Sequence, residues 1–330
     1  MSEKKHYREI DSLKGWAIFL VILGHSIILF PINLHEIPWC AAMFAIISCA
    51  HMPLFFLVSG MCYSYKGDYK VYINKKVKRL IVPYIVFAIL ELLAVQLASG
   101  AVRVPVTLLD DIKGSLLYGG GYWFLIALFV IFLIYPTIDK LINRNKYVRV
   151  LCFAAFLVLY IIAPEIKLFQ IGAAIKYMFW FSLGVYIRKN YPMENVLRTD
   201  KPKWNIYSKL AVFAALWIGI FCAFKTSTEL ALRVKDLFVT IAGLACSFML
   251  IRTEWFNNIF ARFGKYSLQL YLVNCFALGA SRIFVCNVLG IQNAMLIIAF
   301  NMLVDYLLAY LVIKYICEKI KPVRIAMGMI

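Results

Sequence analysis

Apolar residues in this chain come in long runs, broken by short polar stretches rather than alternating with them. Ten runs approach the ~20 residues that cross a hydrocarbon layer as a helix. They lie at 13–32, 39–64, 80–98, 122–138, 148–163, 171–187, 206–224, 237–252, 266–284 and 294–314, with those at 148–163 and 237–252 the shortest. Lipid offers backbone N–H and C=O groups no partners, so such runs span as helices, and they lack the alternation of barrel strands. The pattern predicts an all-α, polytopic integral membrane protein that forms a single domain over 1–330. Only the loops at about 99–121 and 188–205 have room for structure of their own. No repeat at 20–50 residues and no inverted duplication is visible.

Basic residues then set the orientation. With the N-terminus in the cytoplasm, 27 Lys and Arg fall in inside segments and seven in outside ones (Arg103, Lys113, Lys167, Lys225, Arg233, Lys235 and Arg282), while Lys176 lies within a span. The positive-inside rule predicts both termini in the cytoplasm and about ten spans. The first run is not followed by a small-residue cleavage pattern and is expected to stay as a span.

Composition narrows the function classes. Hydrophobic residues make up 63% of the chain and charged residues 16%, against roughly 45–50% and about 25% in soluble domains. That excludes an ordinary soluble enzyme, a disordered chain and a nucleic-acid-binding module. The net charge of +18 reflects topology rather than a nucleic-acid partner. The nine cysteines are scattered without a C-x-x-C, as expected of buried free thiols rather than disulfides or a zinc site. No metal is expected. Phosphate-binding, dinucleotide-binding and serine-hydrolase motifs are absent.

Ionisable groups at membrane depth cost at least ~2.5 kcal/mol each, which makes them functional candidates. They are His25, His51, Glu91, Lys176 and Asp305. Lys14 and His25 are eleven residues apart, just over three helical turns, and so share a face with a rise of about 16 Å. Lys14 then sits at the cytoplasmic mouth, suited to an anionic ligand, and His25 near mid-membrane, suited to proton transfer. The plainer alternative is a snorkelling lysine and a histidine bonded to a neighbouring helix. His51 is expected at matching depth, beside a kink at Pro53; a packed histidine taking the carbonyl that Pro53 frees is the alternative. Glu91 either pairs with Lys176 or lines a cavity. Asn301 and Asp305, four apart, read as interhelical hydrogen-bonding groups. Trp39, Tyr122, Trp123, Trp204 and Tyr266 read as interfacial belts. Gly119-Gly120-Gly121 is an acceptor-facing lid or a turn.

Several segments carry a resemblance. Asp11-Ser12-Leu13-Lys14-Gly15 followed by an apolar helix ending in Gly24-His25 resembles the opening of the integral-membrane acyltransferase-3 family, whose basic-x10-His pattern falls on Lys14 and His25. His51-Met52-Pro53 through Ser59-Gly60, Lys78-Arg79 through Pro83-Tyr84, Trp123-Phe124-Leu125, and Phe263-Gly264-Lys265-Tyr266-Ser267 through Tyr271-Leu272 are similar to later segments of that family. The closest flavour is the branch of surface-sugar O-acetyltransferases related to fucose O-acetylases. Lys14 stands where Arg is commoner, and Asn274 where many members carry His. No soluble esterase-like domain is expected after the last run.

The resemblance implies a single transmembrane acyltransferase domain in the cell (plasma or inner) membrane. It would transfer an acyl group, most often acetyl, from cytoplasmic acyl-CoA to a hydroxyl of a glycan, whether exopolysaccharide, capsule or lipid-linked sugar. Acetyl-CoA is then a co-substrate and no cofactor is permanently bound. The implied catalytic residues are His25 and His51. Lys14, Arg79 and Asp11 fall to the acyl-donor site, and Trp123, Glu91 and Lys176 to the acceptor. Direct transfer and an acyl-histidine route both fit. The partners are the glycan and membrane lipids. The competing reading from another class is a polysaccharide-unit transporter or flippase; a third is a sensor or resistance module on the same fold.

Overall fold

The computed structural model describes residues 6–28, 33–97, 108–162, 164–198, 203–223 and 228–329. The ends of the expected spans at 29–32, 98, 163 and 224, and the loop residues 99–107 with Arg103, lie outside the described residues, as does Lys225. Among the described residues the chain is helical with no strand. In order run α1 (Arg8–Ile28), α2 (Pro38–Met61), α3 (Tyr69–Lys76), α4 (Val82–Leu97), α5 (Leu108–Leu117), α6 (Trp123–Ile142), α7 (Lys146–Ile162) and α8 (Ile171–Asn190). Then come α9 (Met193–Leu197), α10 (Lys203–Ala223), α11 (Glu229–Leu250), α12 (Glu254–Gly264), α13 (Ser267–Arg282), α14 (Ala294–Asn301), α15 (Ala309–Tyr315) and α16 (Lys321–Ala326). π-helical turns at Val77–Ile81, Ile283–Val288 and Met302–Leu308 join or extend neighbouring helices.

Each of the ten expected runs falls on a helix. Among the described residues, seven stretches are long and apolar enough to cross a membrane, and α11 with α12, bent by 105° between them, makes an eighth. α7 has 17 residues, and α4 continues the π-helical turn before it into one helical stretch over 77–97; neither is among those eight. α11 starts two turns before the expected 237, so Arg233 and Lys235 are helical rather than in an outside loop. Their charges are met locally: Arg233 donates to Glu229 at 2.5 Å, and the Lys235 ammonium lies 4.4 Å from the centre of the Phe221 ring.

The chain forms two compact units. The first contains residues 1–24, 38–63 and 180–267. Its core gathers Leu20, Ile47, Ala50, Trp217, Val239, Ala242 and Cys246. Trp16 stacks on Phe19 and meets Phe256 and Phe260 edge-on. Two helix crossings bring backbones into contact, as small residues allow in membranes. A Cβ on Gly15 would lie 2.0 Å from the Phe260 carbonyl oxygen, and one on Gly60 2.1 Å from that of Phe181. Two of the segments that carried the family resemblance therefore meet, Gly15 in α1 against Gly264 in α12. Around them Tyr7 donates to Glu194 at 3.0 Å, and Arg198 to Glu9 at 2.5 Å. The hydrogen bond to the Glu9 carboxylate holds Arg198 above the usual guanidinium range.

α2 runs unbroken through Pro53. Proline cannot donate to the carbonyl four residues back, that of Cys49. Thr240 Oγ1 in α11 donates to that oxygen at 2.7 Å, so another helix supplies the missing bond.

The second unit contains residues 25–37, 64–179 and 268–330. α13 runs through its interior, with Leu270, Leu272 and Leu278 fully buried. Asp68 caps α3 through the Val71 N–H, and Asn293 caps α14 through the Leu296 N–H. Gln269 donates to the Met327 carbonyl at 2.9 Å, and Gly328 (φ +67°) lies against the Arg79 carbonyl, which Pro83 leaves without its helical donor.

Candidate active site

Within the second unit, polar groups from the end of α1, from α4, from the glycine turn that precedes α6, and from α13 and α14 are buried or half-buried. His25, in the last turn of α1, is half-buried. Its Nδ1 is hydrogen-bonded to Nδ2 of Asn274 on α13 at 2.5 Å. Two turns along α13, Arg282 is completely buried and donates to the carbonyl of Ser26. The last carbonyls of a helix lack donors and carry partial negative charge, so a guanidinium suits that place. Arg282 is thus a cap inside the membrane-spanning stretch, not the outside-loop charge expected from counting.

Before Asn274, the hydroxyl of Tyr271 donates to the Gly121 carbonyl at 2.9 Å, and that of Tyr122 to the Leu272 carbonyl at 3.2 Å. After it, Cys275 lies against Gly121, where an added Cβ would sit 3.0 Å from its Sγ and 3.3 Å from Glu91 Oε1. The glycine triplet is therefore a turn with a steric purpose. Gly119 and Gly120 take positive φ (+84° and +46°), and Gly121 lets Cys275 and Glu91 approach. Tyr122 and Tyr266 are buried rather than interfacial, whereas Trp39 and Trp204 are exposed as a belt requires. Ser281 donates to Asn301 at 2.5 Å, an interhelical bond of the expected kind. Asp305 is completely buried, and neither carboxylate oxygen has a hydrogen-bond partner among the described residues.

Trp123 and Lys176 come together around one ring. Trp123 stacks on Tyr177 with centroids 6.0 Å apart, and the Lys176 ammonium lies 5.5 Å from the Tyr177 centroid and 5.9 Å from that of Tyr160. Arg79 is exposed at the end of the basic stretch Lys75–Arg79.

Lys14, Asp11 and His51 belong to the first unit. Lys14 Nζ lies 3.3 Å from Asp11 Oδ1, and His6 Nε2 lies 2.8 Å from Asp11 Oδ2. Lys14 thus has a carboxylate neighbour one turn back on its own helix. His51 Nδ1 donates to the Ile47 carbonyl at 2.9 Å, one turn earlier in α2. Its partner is not the carbonyl that Pro53 frees. Among the described residues, no group of three or more His, Cys, Asp or Glu is placed to hold a metal.

The long apolar helices and the absence of strands among the described residues define a multi-pass, all-helical membrane protein. It belongs to the acyltransferase-3 family: the family model, described as an acyltransferase domain, matches residues 7–316. The chain is accordingly an acyltransferase. No curated protein and no solved structure matches it. Asn274, Arg282 and Cys275 are the site-lining residues that sequence reasoning did not place. Asn274 alone left a signal, as a departure from the family pattern.

Proposed function

We propose that this chain moves an acyl group, acetyl in the simplest case, from cytoplasmic acyl-CoA to a hydroxyl of a cell-surface or lipid-linked glycan. The observation that carries the reading is the His25–Asn274 hydrogen bond, which holds an imidazole inside the helical unit of a family acyltransferase. His25 takes the proton of the acceptor hydroxyl as its oxygen attacks the thioester carbonyl. The oxygen–carbon bond forms, the carbon–sulfur bond breaks, and the proton passes from the imidazole to the departing thiolate.

Lys14 and Arg79 are assigned to the phosphates of CoA by charge and by their place in the inside segments. Asp11, paired with Lys14, sets the direction of its ammonium. His51 has one nitrogen held by its own helix and assists through the other. Trp123, Lys176 and Glu91 are assigned to the acceptor; an aromatic face beside a fixed cation suits a sugar ring carrying an anion. Ten spans, both termini in the cytoplasm, and the cell membrane complete the proposal. In the test, His25→Ala reaches normal membrane levels but releases no CoA thiol from acetyl-CoA in native membrane vesicles, and surface glycans lose the mass of an acetyl group per site. Normal acylation in this variant ends the reading.

A further inference from the structure

We propose that Asn274 is the positioning residue that sets the tautomer of His25: its amide oxygen accepts from Nδ1–H and leaves the lone pair of the imidazole at Nε2. This deepens the reading of His25 as the base and rests on it. The two residues are 249 positions apart and meet at 2.5 Å. Asn274 is 1% exposed, and its Oδ1 has no hydrogen-bond partner among the described residues, while Nδ2 faces the ring. A half-turn of the amide exchanges these two atoms, which match each other in size and shape. It pairs the buried oxygen with a donor and moves the amide nitrogen to the place the oxygen leaves.

The chemistry picks the same orientation. A neutral imidazole carries one hydrogen. If Nδ2–H donates to Nδ1, the ring's hydrogen is on Nε2, and that nitrogen donates instead of accepting. If Oδ1 accepts from Nδ1–H, Nε2 is the basic nitrogen, and proton transfer from the acceptor falls to it. A neighbour's hydrogen bond is the usual device by which one ring nitrogen is chosen over the other.

The backbone around Asn274 is held on both sides. Arg282 ties α13 to the end of α1 beside His25. Tyr271 ties the preceding turn of α13 to Gly121, and Cys275 packs on that same glycine. A fixed amide facing a fixed ring is a preorganised arrangement; for metal-bound imidazoles the outer partner that fixes the ring is worth about 10–100-fold, and the same scale is taken for this base.

The test uses the full-length chain in native membrane vesicles, which retain the acceptor, with acetyl-CoA as the probe and thiol release as the readout. Asn274→Leu is expected to lower the maximal rate about 10–100-fold while the acetyl-CoA KM stays within about twofold, because the residue acts on chemistry and not on donor binding. Asn274→Asp keeps an acceptor oxygen and is expected to retain much more of the rate. In 15N-histidine-labelled wild-type protein, His25 is expected to show hydrogen-bearing Nδ1 and bare Nε2. A bare Nδ1 with hydrogen on Nε2 overturns the proposal, and this measurement stands even if a variant fails to fold. So does a wild-type rate in Asn274→Leu while His25→Ala is inactive; that result leaves the base assignment intact. A wild-type rate in His25→Ala overturns the base assignment itself and the proposal with it.

Discussion

Gly264→Ala places a methyl group where α12 and α1 touch. On the present backbone its Cβ would lie 1.6 Å from the Asp11 carbonyl oxygen and 2.8 Å from the Gly15 nitrogen. Ordinary contact begins at 3.4 Å, a shortfall of 1.8 Å (3.4 less 1.6). The obstacle is backbone, which cannot rotate aside, so the helices must part. Overpacking of this kind costs about 1–3 kcal/mol. Parting also loosens the edge-on contacts of Trp16 with Phe256 and Phe260, at about 0.5–1.5 kcal/mol each. A loss of about 3 kcal/mol is expected.

Gly219→Ala is the matched control. It sits inside α10 of the same unit with nothing within 4 Å of the new carbon, and alanine for glycine in a helix gains about 0.5–1 kcal/mol. The assay is thermal unfolding of both purified variants in one detergent, followed by tryptophan fluorescence. The midpoints should move in opposite directions from wild type, Gly264→Ala down and Gly219→Ala slightly up. A Gly264→Ala midpoint equal to or above that of Gly219→Ala would refute the close crossing. The acetyl-CoA KM of Gly264→Ala, measured where the protein still folds, should rise as well, because Gly15 adjoins Lys14.

Thr240→Val leaves the Cys49 carbonyl without its donor and should cost about 1–3 kcal/mol in unfolding measurements, with Thr240→Ser close to wild type; equal stability of the two variants would count against the bond. Lys14→Ala should raise the acetyl-CoA KM about threefold to tenfold, as loss of a partly exposed charge contact of ~0.7–1.4 kcal/mol does, and Lys14→Arg should raise it less; an unchanged KM in both removes Lys14 from the donor site. Gly121→Ala crowds Cys275 and Glu91 and should lower the maximal rate at a stability cost of about 1 kcal/mol; thiol release at the wild-type rate would show that this corner plays no part.

The helices were legible because hydrocarbon length and apolar runs match so directly. All ten runs fall on helices, and His25 stood out because an imidazole at that depth is costly. The boundaries were less legible. Arg233 and Lys235 suggested a loop, yet a carboxylate one turn back and an aromatic ring satisfy them on a helix. Arg282 was misplaced for a related reason. Counting charges by segment assumes that arginine seeks water, whereas this one finds the bare carbonyl end of another helix. Asn274 and Gly264 illustrate a deeper limit. Their importance lies in partners more than 200 positions away, and pattern along one chain carries no trace of such pairs.

The hydroxyl that reaches from α11 to the carbonyl above Pro53 couples the history of two positions. With any other amino acid at 53, the helix would repair its own ladder and the threonine would be surplus. With valine at 240, the proline would become a liability. The dependence runs one way: the threonine can be lost without cost only after the proline has gone, so drift at 240 waits on drift at 53.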